Sequence, residues 1–232
     1  MKPENQRTNS LGQPIGVDMS DWSAPGPPNT ESLAGRYCTL EALDPDRHAV
    51  ELFESFSADE AGRNWTYMPY GPFATQSEFS KLTEELCNSD DALFFAIRDS
   101  SSGKAVGFAS YLGIVPEMGS IEVGHVAFAP ALQRTRAGTE AMYLMMKRAF
   151  DWGYRRYEWK CDSLNAESHR AAERYGFKFE GIFRQARVYK GRSRDTTWFS
   201  IIDSEWLAVR ARFEAWLDPS NFDDDGQQMA SF

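Results

Sequence analysis

The sequence predicts a mixed α/β (α+β) fold: a mostly antiparallel central sheet of about seven strands, helices on both faces, and an extra helix at the C-terminal end. Three observations predict it. Between residues 93 and 128, three successive segments (93–98, 105–114 and 120–128) read as strands joined by the turn signals SSSG and PEMG. After Pro130 the apolar period becomes helical, with Met142, Met145, Met146 and Ala149 at i, i+3, i+4 and i+7 in one stripe that ends near Gly153. Beyond that helix come a strand, a second helix and a hairpin, so the meander is extended by a crossover and the sheet is mixed.

In chain order, residues 1–35 are rich in Pro, Gly, Asn and Ser, show no sustained apolar period, and read as an extended N-terminal arm. Residues 37–43 read as a strand, 48–56 and 75–86 as helices. The aromatic Pro/Gly stretch from Trp65 to Phe73 lies between those helices, where it either walls a pocket, plugs the sheet edge or forms a dimer contact. Residues 156–161 form a further strand with Tyr157, Trp159 and Cys161 on one face and Glu158, Lys160 and Asp162 on the other. A polar face on a central strand either lines an acceptor pocket, favouring a cationic substrate, or is neutralised by pairing with Lys160 or Arg155. Residues 166–175 are a helix closed by Gly176, residues 177–189 and 196–202 a hairpin around KGRSRD, and residues 204–217 a packing helix with Trp206, Val209, Phe213 and Trp216 at helical spacing. One domain therefore spans 36–218, followed by an acidic tail, 219–232.

Composition narrows the function. The formal net charge of −9 argues against nucleic acid as a partner. No run of about 18 apolar residues is present to span a bilayer, and the first residues lack the apolar segment of a secretory signal, so a cytoplasmic protein without a membrane partner is expected. Cys38, Cys87 and Cys161 are odd in number and widely spaced, so they read as buried reduced thiols; neither a disulfide framework nor a metal site is expected. Charge is unevenly placed: residues 131–200 hold 15 Lys and Arg against 8 Asp and Glu. That stretch is either a solvated face or the seat of a polyanion.

The segment IEVGHVAFAPALQRTRAGTEAMYLMMKRAF places a strand, a basic small-residue loop and a helix in succession. The first amides of a helix lack intrahelical acceptors and sit at the positive end of its dipole, so a phosphate placed there collects several hydrogen bonds. Arg134 and Arg136 add charge, and Gly138 leaves room for close backbone approach to a ligand. Gln133, Arg134, Thr135, Arg136, Ala137 and Gly138 resemble the Gln/Arg-x-x-Gly-x-Gly/Ala loop of the GNAT superfamily of N-acetyltransferases, with Arg136 where that loop usually has its first glycine. Glu122-Val123-Gly124-His125, Gly138-Thr139-Glu140-Ala141, Asn165-Ala166-Glu167-Ser168, Tyr175-Gly176-Phe177 with Glu180-Gly181, and Asp195 in the final turn resemble the RimJ/RimL-like branch, in order, over about residues 35–202.

The resemblance implies a GNAT fold whose fourth and fifth strands splay apart to admit the pantetheine arm of acetyl-CoA. Val126, Phe128, Gln133, Arg134, Thr135, Arg136, Ala137, Gly138, Thr139 and Asn165 are then expected to bind that cosubstrate, with no metal. The implied reaction is acetyl transfer to the primary amine of a small molecule or a protein N-terminus. It needs a base for the amine and an acid for the departing thiolate. Glu122, a carboxylate in an otherwise apolar strand, is the candidate base, and Ser168, in the first turn of a helix, the candidate acid. His125, three residues from Glu122, faces away from it on an unbroken strand and reads as a core histidine, whereas a bulge would return it. Transfer of a longer acyl group such as succinyl, or a non-catalytic acyl-CoA sensor, are the alternatives; a monomer and a homodimer are both compatible.

Overall fold

The computed structural model describes residues 7–223 and 227–232; residues 1–6 of the arm and 224–226 of the acidic tail lie outside the described residues. The arm contributes a small antiparallel pair, β1 (Arg7–Thr8) and β2 (Pro14–Ile15), and then β3 (Leu33–Ala34), which joins the edge of the main sheet. Burial alternates along β4 (Cys38–Ala42) and becomes continuous within β5 (Ala92–Asp99), β6 (Ala105–Val115) and β7 (Ser120–Phe128), which are covered on both faces, each strand antiparallel to the one before. The crossover returns β8 (Arg156–Asp162) parallel to β7, and the hairpin of β9 (Lys178–Tyr189) and β10 (Arg192–Ile202) inserts β10 beside β8. The sheet has eight strands in the order β3-β4-β5-β6-β7-β8-β10-β9, the two-residue β3 being the strand beyond the expected seven.

Local chemistry sets each helix. Asp44 and Pro45 open α1 (Pro45–Ser57), and Thr75 with Glu78 forms a capping box on α2 (Gln76–Cys87). Thr135 caps α3 (Arg136–Asp151), and Asn165 caps α4 (Ala166–Tyr175), which Gly176 closes in a left-handed conformation at φ 96°. The last helix is α5 (Asp203–Leu217). Against one sheet face, the α3 methionine stripe packs with Tyr111, Ile121, Tyr157, Trp159 and Phe213. Against the other, Leu52 and Phe56 of α1 and Phe79 of α2 pack with Phe94, Phe108 and Trp65.

Three details differ from the sequence reading. Strands β9 and β10 run almost to the tip of their hairpin, because Lys190 and Gly191 both take left-handed backbone (φ 47° and 69°) and turn the chain in two residues. Cys87 is exposed, because it ends α2 beyond the helix's buried stripe, whereas Cys38 and Cys161 are buried. After α5 the chain folds back. The Asn221 side chain donates to the carbonyls of Trp216 and Ala230 and accepts from the Ala230 amide, while Phe232 packs on Phe213 with ring centroids 4.7 Å apart. Among the described residues, no helix is long and apolar enough to cross a membrane.

Candidate active site

The site begins where the sheet opens. Strands β7 and β8 pair only from Ser120↔Arg156 to Val123↔Trp159, after which they part. A bulge in β7 lies at the same point: pairing with β6 shifts between Gly124↔Ser110 and Ala127↔Phe108, and His125 adopts φ 49°. The bulge reverses the alternation. Ile121 and Val123 belong to the α3-side core, but His125 meets Tyr70 and Phe94 on the opposite side, the side of Glu122. His125 Nδ1 lies 3.0 Å from the Tyr70 hydroxyl, whose ring stacks on the imidazole. Burial, aided by the Arg187 charge, holds the His125 pKa down at about 4, so the ring is neutral at neutral pH.

On this face, Glu122 is 8% exposed and bonded to Lys160 Nζ at 2.8 Å. Burial raises the Glu122 pKa, and Lys160 opposes the rise. Lys160 is shared: its ammonium also lies 2.8 Å from Glu158 Oε2 and 3.9 Å from the centroid of the Trp198 ring. Glu158 is bonded in turn to Arg156 Nε at 2.7 Å, and Asp162 accepts from the Tyr189 hydroxyl at 2.8 Å and the Leu164 amide at 2.9 Å. The carboxylates of the β8 polar face are therefore internally matched, and the cation partnering Glu158 beside Lys160 is Arg156, where Arg155 was expected.

The other face of the opening belongs to α4. Trp159 Nε1 donates to Ser168 Oγ at 2.9 Å, which occupies an acceptor position of the hydroxyl, and the hydroxyl in turn bonds the Cys161 side chain. Asn165 Oδ1 accepts from the Ser168 amide at 3.1 Å, fixing the first turn of α4. Glu122 and Ser168 thus flank the opening from opposite sides of the sheet, and both line one cleft of about 1770 Å³.

The basic loop offers its backbone more than its side chains. Thr135 Oγ1 accepts from the Gly138 amide at 3.0 Å, the Thr139 hydroxyl donates to the Thr135 carbonyl, and Ala137 is buried. The Gln133 side chain donates to the Phe128 carbonyl and to Asn64 Oδ1, bracing the loop. Arg134 sits at φ 59° and is exposed along the cleft, as is Arg170 of α4. The Arg136 guanidinium lies between the rings of Tyr37 and Phe222, at 4.9 and 4.8 Å from their centroids, and is engaged by those two aromatic faces. Val126 and Phe128 border the cleft on the stretch of β7 that has left β8. Packing within the loop gives Gly138 a reason of its own: a Cβ there would stand 2.7 Å from the Leu132 carbonyl and 3.2 Å from the Phe128 ring. A pyrophosphate fits this frame, with helix-start amides and the Arg134 and Arg170 cations at its disposal.

The aromatic loop does two jobs. Trp65 and Phe73 pack against Phe56 and Phe79 in the second core, while Thr66, Tyr67 and Met68 line the cleft. The hairpin tip is fastened to this loop by Lys190 Nζ donating to the Trp65 carbonyl at 2.7 Å and Arg192 to the Thr66 carbonyl at 2.8 Å. The Tyr67 hydroxyl donates to the Leu164 carbonyl at 3.1 Å, across the cleft. Sequence reasoning missed Trp159, Trp198, Arg187 and this bridge; the basic turn KGRSRD was the available signal, but its partners are over a hundred residues away in the chain.

Residues 38–178 match the family model described as acetyltransferase (GNAT) domain. Among curated proteins, no sequence matches the chain. Among solved structures, the chain is similar to a GCN5-related N-acetyltransferase from Brucella melitensis, at 46% identity over 91% of this chain and 96% of that one, with a TM-score of 0.89. A probable GNAT-family acetyltransferase from Chromobacterium violaceum ATCC 12472 shares 42% identity over 84% of this chain and 98% of that one, TM-score 0.78. An acetyl transferase from Salmonella typhimurium that modifies the N-terminal serine of 50S ribosomal subunit protein L7/L12 shares the fold at 21% identity, over 74% of this chain and 99% of that one, TM-score 0.62. The chain belongs to the GNAT family of acetyltransferases, which transfer acyl groups from acetyl-CoA.

Proposed function

We propose that this protein transfers an acetyl group from acetyl-CoA to a primary amine by direct attack within the opening between β7 and β8, in the manner of the RimJ/RimL-like branch. The observation that carries the reading is the break in pairing after Val123 and Trp159, with a buried carboxylate on one side of the gap and a hydroxyl oriented by Trp159 on the other. The amides that begin α3, with Arg134 and Arg170, hold the pyrophosphate, and the unpaired stretch of β7 from Val126 to Phe128 runs alongside the pantetheine. Asn165 serves by fixing the turn that presents Ser168.

An ammonium acceptor gives up two protons. Glu122, with its pKa raised by burial, takes the first and passes it to solvent; the freed nitrogen forms the new N–C bond as the C–S bond breaks. The second proton leaves the nitrogen, and Ser168 relays it to the thiolate, so one proton is released per turnover. Arg136, whose replacement of a loop glycine motivated the sensor alternative, is held between two rings, which favours the catalytic reading.

The test is acetyl-CoA turnover across an amine library and a panel of N-terminal peptides, with Glu122→Gln and Ser168→Ala alongside. Glu122→Gln is expected to lower kcat/KM roughly a hundredfold and remove the acidic limb of the pH profile, a limb displaced above the ordinary carboxylate value; Ser168→Ala is expected to cost about tenfold in kcat. Losses of only a few-fold in both variants refute the two assignments.

A further inference from the structure

Three features on the Glu122 side of the cleft bear on the acceptor. The first is charge. Glu122 and Glu158 share Lys160, and Asp162 accepts from the Tyr189 hydroxyl and the Leu164 amide, so each carboxylate already has a protein donor. Arg187, on β9, lines the same cleft, and its charge acts on both Glu122 and His125, yet among the described residues its side chain makes no ion pair or hydrogen bond. An acceptor entering here meets the Arg187 guanidinium beside carboxylates that already have protein donors. Unlike a carboxylate, a guanidinium holds its charge at any working pH and grips a carboxylate through two parallel hydrogen bonds.

The second feature is the roof. Lys190 and Arg192 fasten the hairpin tip to the carbonyls of Trp65 and Thr66, and Tyr67 bridges to Leu164. A peptide running on from its N-terminus would have to cross between the loop and the hairpin, where these bonds lie. A molecule that ends within a few bonds of its amine fits beneath them. The third feature is the apolar wall. Trp198 and Phe183 lie with ring centroids 4.7 Å apart along the cleft, and Phe183 is 57% exposed, an aromatic surface available for contact with a ligand.

We propose that the acceptor is a small amine carrying its own carboxylate, of the class of free aromatic or branched amino acids. Arg187 holds the carboxylate, the Trp198 and Phe183 rings hold the side chain, and the amine is presented to Glu122. The proposal rests on the acetyl-transfer reading above and is narrower than it. The test uses the full chain with acetyl-CoA and four acceptors: L-phenylalanine, L-phenylalaninamide, 2-phenylethylamine and a hexapeptide beginning with phenylalanine. L-phenylalanine is expected to exceed each of the others in kcat/KM by about tenfold or more, the size of one charge-assisted contact. Arg187→Gln is expected to collapse the ratio of L-phenylalanine to 2-phenylethylamine, mainly through KM, and Arg187→Lys to restore part of it. Equal use of the amide, the amine or the peptide by the unaltered protein overturns the proposal, as does a ratio that survives Arg187→Gln. If the amine or the peptide is acetylated and L-phenylalanine is not, this proposal fails alone; if no acceptor in this set or the wider library is acetylated, it fails together with the transferase reading.

Discussion

At the scale of single residues, the bulge at His125 has a consequence for stability. The imidazole is kept neutral by burial against Tyr70 and Phe94, with its pKa near 4 in the folded chain against 6.5 when unperturbed. Between those values the unfolded chain binds a proton that the native state refuses, so stability falls as pH is lowered from about 6.5 towards 4. The contribution at the acid end of the window is about 3 kcal/mol. His125→Phe, which cannot titrate, is expected to flatten this slope in urea denaturation series at stepped pH. An unchanged slope would refute the assignment of that proton to His125. Glu140 shows the opposite kind of residue: its carboxylate accepts the amides of Arg36, Tyr37 and Cys38, and so anchors the start of β4 on α3. Its place in a family-like motif thus has a structural role within the chain itself.

At the scale of elements, the loop into α3 is braced from within. Thr135 caps the helix, Gln133 ties the loop to Phe128 and Asn64, and Gly138 admits the Leu132 carbonyl where a Cβ would stand. That carbonyl is backbone and has little freedom to yield, so Gly138→Ala is expected to destabilise the fold by about 1–3 kcal/mol and to weaken acetyl-CoA binding by displacing the helix-start amides. Chemical denaturation and calorimetric titration with acetyl-CoA measure the two effects separately. An alanine variant as stable as the parent would show that the loop has room to shift. The hairpin of β9 and β10 is the complementary element: its two-residue turn projects Lys190 and Arg192 onto the aromatic loop, so an element from the end of the domain closes a site begun near its start.

At the scale of the whole molecule, the C-terminal segment is part of the packed structure. Trp216, Phe222 and Gln228 line the same cleft as the α3 loop, and Asn221, 9% exposed, ties the segment back to Trp216 and Ala230. Removing that side chain strands the buried Trp216 carbonyl, at a cost of about 1–3 kcal/mol. Asn221→Ala is therefore expected to lower the urea midpoint and to expose the segment to limited proteolysis near Phe232. A midpoint equal to the parent's would mean that the rings around Phe232 hold the segment without it.

The sequence by itself determined the order of elements, the closure of α4 at Gly176, the methionine stripe of α3 and the basic loop, because each depends on neighbours within a few residues or on a regular apolar period. It also brought Glu122 and Ser168 forward as candidates. Only the tertiary structure decided what surrounds them. The pairing of Glu122 with Lys160, the return of His125 through a bulge, the seating of Arg136 between Tyr37 and Phe222, and the bridge from Arg192 to Thr66 join residues that no period or spacing relates. The physical reason is that strand alternation fixes a side chain's face only until a bulge intervenes, and that charges choose partners by distance in space, which the order of strands in the sheet sets.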